Sequence, residues 1–290
     1  MPKKVSRRVF LKKSFGTFLA AIGLTSGGYF YAKKIEPKLL QTSYENIIHK
    51  DIPTSFNQLK IVQFSDTHLG FHYDLNDLIH LVDKINTINP DIIFFTGDLM
   101  DEPNKYTQAE SIIPILSSLK APLGKFAVYG NHDHGGYGSD IYKTIINQSG
   151  FKLLFNSFEE IKLIDNERIY IAGIDDAMLG KPNIREIAEK IPENSYKILL
   201  SHAPDLADDA VNFGFQLQLS GHSHGGQIQI PFLGVLVKPP YAEKYYEGFY
   251  QIKGKQDLTL YVNRGLGTTR LPFRFLSRPE LTVFTLNNGH

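Results

Sequence analysis

Cysteine is absent from this chain of 290 residues. Disulfides are therefore excluded, and any bound metal must rest on nitrogen and oxygen donors. Acidic residues are missing from the first 34 positions, which carry eight Lys and Arg. Without those eight, the 31 basic residues fall to 23 against 30 Asp and Glu, so the remainder carries about −7. Such a body lacks the clustered cations that neutralise a phosphate backbone, and no nucleic-acid partner is expected. Internal repeats, low-complexity tracts and Pro/Gly/Ser-rich linkers are also missing after residue 43, so residues 44–290 read as one domain.

The basic leader has its own pattern. Ser6-Arg7-Arg8-Val9-Phe10-Leu11-Lys12 precedes 19 uncharged residues, Ser14 to Ala32. Paired Arg followed by Phe-Leu and a moderately apolar, Gly-containing stretch resembles a twin-arginine export signal. An ordinary membrane anchor is the alternative reading, since 18 or more uncharged residues can span a bilayer. Phe30-Tyr31-Ala32 is a poor small-x-small cleavage site, which leaves a retained tether open. The leader is assigned to 1–34 and a linker to 35–43. Export by the twin-arginine machinery to the cell envelope is expected, with a membrane surface as a further contact. A cysteine-free chain suits a protein that folds before it crosses the membrane.

The body alternates strand and helix patterns. Lys60 to Phe64, Asp91 to Phe95 and Lys125 to Tyr129 are apolar strands, and Leu75 to Ile88 has apolar residues at helical spacing. Ser111 to Leu119 also reads as helical. After Gly150 the pattern becomes strand-rich: Glu160 to Ile164, Arg168 to Ile174, Lys197 to Leu200, Phe215 to Leu219, Gly248 to Ile252, Leu258 to Val262 and Glu280 to Leu286. One helix is expected among them, over Asn183 to Lys190. The expected fold is mixed α/β, with two packed, mostly β layers flanked by helices.

Five motifs fall at or near strand ends: Asp66-Thr67-His68, Gly97-Asp98, Gly130-Asn131-His132-Asp133, Ser201-His202, and Gly221-His222-Ser223-His224-Gly225-Gly226. In open α/β sheets, ligands bind beyond the carboxyl ends of strands, where loops converge. Two Asp, one Asn and four His make the donor inventory of a site for two divalent cations, and such sites hydrolyse phosphate esters. Taken singly, Asp66 and Asp98 could merely cap turns, and His202 could be a plain loop residue. The set of five in this order is far more specific.

The motif set, from Ser65 to Gly226, resembles the calcineurin-like metallophosphoesterase superfamily. With the leader and Asn263-Arg264-Gly265-Leu266-Gly267 it resembles the exported bacterial phosphodiesterase branch, which includes relatives acting on UDP-diacylglucosamine. Asp66 and His68, two apart on one loop, can reach one ion; Asp98 is placed to bridge both. Asn131 offers a neutral amide oxygen. The resemblance implies that His224 joins Asp66 and His68 on one cation, and that His202 and His222 join Asn131 on the other. It also implies that His132 is not a ligand but protonates the leaving group, with Asp133 fixing its orientation. The cations could be Mn, Fe or Zn, which N/O donors do not distinguish.

Two further stretches bear on the substrate. Pro231 to Tyr250 is apolar and aromatic, and Arg264, Arg270, Arg274 and Arg278 form a basic run. Arg264 and Arg270 are candidate anchors for a second phosphate. The expected activity is an exported binuclear phosphohydrolase that cleaves phosphodiester or diphosphate bonds, of envelope lipid or nucleotide-sugar-lipid type. A broad phosphatase or nucleotidase is the alternative, and a non-catalytic envelope protein stabilised by metal is a second one.

Overall fold

A computed structural model describes residues 7–134 and 139–289. Two six-stranded sheets face one another across an apolar core. The strands are β1 (Gln41–His49), β2 (Lys60–Phe64), β3 (Ile92–Phe95), β4 (Lys125–Ala127), β5 (Lys152–Leu153), β6 (Ser157–Lys162) and β7 (Arg168–Gly173). They continue as β8 (Tyr196–Leu200), β9 (Leu217–Ser220), the hairpin β10 (Gln229–Ile230) and β11 (Gly234–Val235), β12 (Gly248–Ile252), β13 (Leu258–Val262) and β14 (Glu280–Asn288). One sheet has the order β1-β14-β2-β3-β4-β5 and the other β12-β13-β9-β8-β7-β6. β2 to β5 run parallel, as do β7, β8, β9 and β13, so their carboxyl ends share one edge of each sheet.

Period-two alternation builds the layers. In β3, Ile92 and Phe94 point into the core between the sheets, where they meet Ile198, Leu200, Leu217 and Leu219. Ile93 and Phe95 point outward, onto the helices. Helix α1 spans Arg7–Phe30; α2 (Leu75–Ile88), α3 (Ile112–Ser117) and α4 (Ser139–Gln148) cover the first sheet. α5 (Ile184–Ala188) and α6 (Ala207–Ala210) cover the second. α2 shows why a segment becomes a helix here. Asp74 caps its start by accepting from Asp77 N, Asp77 reciprocates, and Leu78, Leu81, Val82 and Ile85 form the buried stripe. The architecture is therefore mixed α/β, a two-layer sandwich with helices on both outer faces.

Several boundaries differ from expectation. α3 and α5 are shorter than their apolar patterns, and β6 begins before Glu160. α6, β5 and the β10–β11 hairpin are too short to show a periodicity, whereas α4 is a further helix absent from the expected pattern although Tyr142, Ile145 and Ile146 lie at helical spacing. The largest difference concerns residues 35–43, expected as a linker. They hold a 3-10 turn, Glu36–Lys38, and the first residues of β1, which pairs in parallel with β14 from Gln41 onward. Long-range pairing of this kind leaves no local signal. Among the described residues, no helix is long and apolar enough to cross a membrane.

Candidate metal centre

Every motif residue sits just past a strand. Asp66 and His68 follow β2, Asp98 follows β3, Asn131 follows β4, His202 follows β8, and His222 and His224 follow β9. Both sheets thus deliver side chains to one shared rim. The backbone there is unusual: Asp66 (φ 53°), His68 (44°), Asp98 (59°), His222 (70°) and His224 (52°) are all left-handed. Such residues cost on the order of 1–3 kcal/mol each and persist where the surroundings over-determine them, a pattern that clusters at functional sites. Two glycines let the loops meet. A Cβ on Gly130 would overlap Asp98 Oδ1, and one on Gly221 would overlap Ser65 Oγ and Asp66 Oδ2.

The hydrogen bonds assign the ring nitrogens. His202 Nδ1 donates to Thr96 O (2.7 Å), and His222 Nε2 donates to Pro240 O (2.8 Å). His68 Nδ1 faces Asp101 Oδ1 (3.1 Å). Each of these imidazoles spends one N–H on a protein acceptor, which turns the other nitrogen inward, where it can ligate once it carries no proton. Two of those nitrogens meet, His222 Nδ1 and His202 Nε2 at 3.1 Å, and His68 Nε2 lies 3.1 Å from Nε2 of His224, a ring whose Nδ1 faces the Arg274 guanidinium and no acceptor. Two lone pairs at that separation repel unless a cation or a proton lies between them.

The acidic groups complete two clusters of donors. Asp66, His68 and His224 form one, and Asp98, His202 and His222 form the other. A single oxygen serves both: Asp98 Oδ2 is 3.4 Å from His68 Nε2 and 3.3 Å from His202 Nε2. Asn131 Oδ1 is buried without a hydrogen-bond partner. Leaving a buried acceptor unmade costs about 1–3 kcal/mol, so an unpaired amide oxygen beside two clusters of lone pairs fits a divalent cation. The donor set thus suits two such cations.

Charge follows from the packing. Burial works against the Asp98 carboxylate, yet the His202 and His132 rings hold its pKa well below the usual range. Burial also disfavours the His202 cation, but Asp98 outweighs it and raises that pKa to about 10. His222 is pushed down to about 3 by burial and by His202 beside it. The centre thus keeps a proton on His202 that an arriving cation must displace.

His132 stands apart from the inward rings. Its Nδ1 donates to Asp101 O (2.7 Å) and its backbone N–H to Asp98 Oδ1 (2.9 Å), while a quarter of its side chain (26%) remains exposed. It also groups with His68 and Asp98 at ligand-like spacing, so geometry alone permits either role. The expectation that Asp133 fixes the His132 ring is corrected. Asp133 is fully buried and accepts from the N–H groups of Asp98, Leu99 and Gly130, so it shapes the two loops. The carbonyl of Asp101 orients the ring instead.

The basic run splits three ways. Arg270 lines a cavity of about 280 Å³ that opens beside Asp98, Asn131 and His132. Arg264 does not line it; its guanidinium lies 3.5 Å from Glu280 and 3.9 Å from Glu247, so the expected anchoring role is corrected to a structural ion pair. Arg274, read with the same run, is fully buried. It donates to Gly267 O, Ser277 O and Arg264 O, and lies 3.3 Å from His224 Nδ1. Asp101 is a site residue that sequence reasoning missed, and Arg274 stood in the basic run without this role being visible. The only available signal for Asp101 was its place three residues after Asp98.

Residues 59–226 match the calcineurin-like phosphoesterase family, a span that contains all seven candidate ligands. The chain belongs to that family. It is a metal-dependent phosphoesterase. It is 46% identical over 286 residues to the uncharacterized metallophosphoesterase YkuE of Bacillus subtilis, with 99% of each chain covered. It is 32% identical over 254 residues to a transmembrane protein with metallophosphoesterase domain of Danio rerio, covering 82% of this chain and 55% of that one. Among solved structures, a dimetal phosphatase from Danio rerio aligns at 10% identity with a TM-score of 0.38, covering 79% of this chain and 99% of that one.

Proposed function

We propose that this phosphoesterase uses two divalent cations to hydrolyse phosphodiesters or diphosphates that carry an apolar or nucleoside-sugar arm, at the outer face of the cytoplasmic membrane. Asp66, His68 and His224 would hold one cation and Asn131, His202 and His222 the other, with Asp98 between them. Bound there, the cations supply Lewis acidity and an activated water near neutral pH. His132 supplies the proton. Burial disfavours its cation, but Asp98 and Asp101 outweigh that and raise its pKa above the ordinary value. With Nδ1 committed to Asp101 O, its Nε2–H is left for the leaving oxygen.

The cavity beside His132 carries the substrate reading. Its walls include Met178, Ile228, Leu236, Val237, Pro240 and Leu271, while Arg270 is its one Arg or Lys among the described residues. An apolar wall with a few placed charges suits an amphiphile, and Arg270 can fork onto a second phosphate. The β10–β11 hairpin beyond it exposes Phe232 (108%) and most of Leu233 (76%) to the outside, which favours a membrane surface nearby. Metal-free protein reloaded with Mn, Fe or Zn singly should cleave arm-bearing diesters or diphosphates with a higher kcat/KM than small monoesters. A preference for simple monoesters of about tenfold or more, about 1.4 kcal/mol, would leave the broad phosphatase reading instead.

The Ser6 to Lys12 pattern supports export by the twin-arginine machinery. Replacing Arg7 and Arg8 together by Lys should retain the folded protein in the cytoplasm, because that signal is read by a receptor. Unchanged delivery, seen by fractionation, would reject the assignment.

A further inference from the structure

The segment that joins α1 to β1 is gripped by the catalytic rim. Tyr29 packs edge-on against Phe273 (centroids 5.3 Å apart), and Tyr31 packs against Phe275 (6.4 Å). Arg274 N donates to Ala32 O at 2.9 Å. Glu36 is 1% exposed, and its Oε1 accepts from Ser277 N at 2.6 Å. Its other oxygen, Oε2, is buried with no hydrogen-bond partner. Burying a carboxylate costs several kcal/mol before compensation, and an apolar side chain would fill the same space more cheaply. A packing role alone therefore does not account for this residue type.

What lies on the far side of residues 273–277 is His224. Ser277 Oγ donates to His224 O (2.7 Å), and Arg274 reaches the same carbonyl at 3.4 Å while donating to Ser277 O at 2.9 Å. His224 needs such a hold. Its backbone is left-handed, and its Nδ1 faces the Arg274 guanidinium, not an acceptor. His68, His202 and His222 are each aimed by an acceptor on one ring nitrogen. For His224 the main chain does the aiming.

We infer that residues 29–38 are a positioning element of the metal centre, with Glu36 acting through Ser277 and Arg274 to aim His224. This rests on the two-metal reading above. The stem thus links the N-terminal helix to the cation held by Asp66, His68 and His224, and leaves the Asn131, His202 and His222 cation independent of it.

The test titrates Mn²⁺ into the demetallated full chain by calorimetry, alongside the Tm of the demetallated protein and a His224→Ala reference that marks which site is which. Glu36→Ala should weaken the His224 site by about 10–100-fold, the usual effect of losing a residue that orients a ligand, and leave the other site unchanged. Glu36→Gln keeps an acceptor oxygen and should recover most of that loss. Ser277→Ala should weaken the same site, and the double variant should fall short of the product of the two singles because they share one path. Should Glu36→Ala fail to fold, Glu36→Gln and Ser277→Ala against wild type carry the comparison. Unchanged Mn²⁺ affinities with a lowered Tm would overturn the inference, as would equal weakening of both sites. If the wild type takes up only one Mn²⁺, the two-metal reading fails; the inference then stands only if Glu36→Ala weakens that single ion.

Discussion

Around Asp66, His68 and His224 the imidazoles are braced by side chains: the Asp101 carboxylate on His68, and Arg274 with Ser277 on His224. Around Asp98, His202 and His222 they are braced by the main-chain carbonyls of Thr96 and Pro240. The difference has a physical consequence. A carbonyl stays in place whatever side chain its residue carries, so the second cluster is hard to perturb one residue at a time. The first cluster depends on groups that one substitution removes. Evolution and mutagenesis should therefore tune one cation far more readily than the other.

The strongest challenge to this picture is Asp98→Asn, because Asp98 Oδ2 faces both clusters. Both cations and all measurable turnover should be lost together, as read by elemental analysis and a diester assay. Retention of two cations would show that Asp98 does not couple the clusters. Next comes His132→Ala, which should keep both cations while kcat falls about 10²–10⁴-fold, the range for losing a general acid. His132 has a raised pKa, so its acid form prevails below that value and is lost as pH rises through it. The alkaline fall in kcat should accordingly vanish from the pH profile of the variant. A missing cation in His132→Ala would instead make that ring a ligand, as its spacing to His68 and Asp98 permits.

Asp101→Ala sharpens the contrast itself. It removes the acceptor on His68 but leaves the carbonyl that orients His132. One cation should be held about 10–100-fold more weakly and the other as before. Pro240→Ala is the matching control on the second cluster. Its carbonyl remains on His222 Nε2, so metal affinity should change by no more than about twofold, well under the effect of a lost orienting group. A large loss in Pro240→Ala would mean that the ring of Pro240, not its carbonyl, aims His222, and the contrast would fail.

Much of this protein was legible before any coordinates. The β2, β3, β4 and β9 runs end where short polar motifs begin, because a buried parallel strand must be apolar and its terminal loop is where chemistry can sit. That rule alone collected Asp66, His68, Asp98, Asn131, His222 and His224, and the structure brings their side chains to one rim with His202. Glu36, Asp101 and Arg274 were not legible. Each is an ordinary charged residue in an ordinary context, and its role comes from a partner on another loop: Ser277 for Glu36, His68 for Asp101, His224 for Arg274. Arg264 misled for the same reason, since only Glu280, brought beside it by β14, shows that its charge is already engaged.

What the sequence determined by itself is the chemistry and the layer pattern: which donors are present, that no thiolate competes with them, and which strands deliver them. Period-two burial and motif spacing are local properties, and local properties are written in the order of residues. The tertiary structure alone decided which nitrogen each imidazole turns inward, that residues 35–43 are stem and strand, and which of four arginines faces the cavity. Those outcomes depend on contacts between residues such as Glu36 and Ser277, 241 positions apart. A pairing of that kind exists only once two sheets have closed on one another.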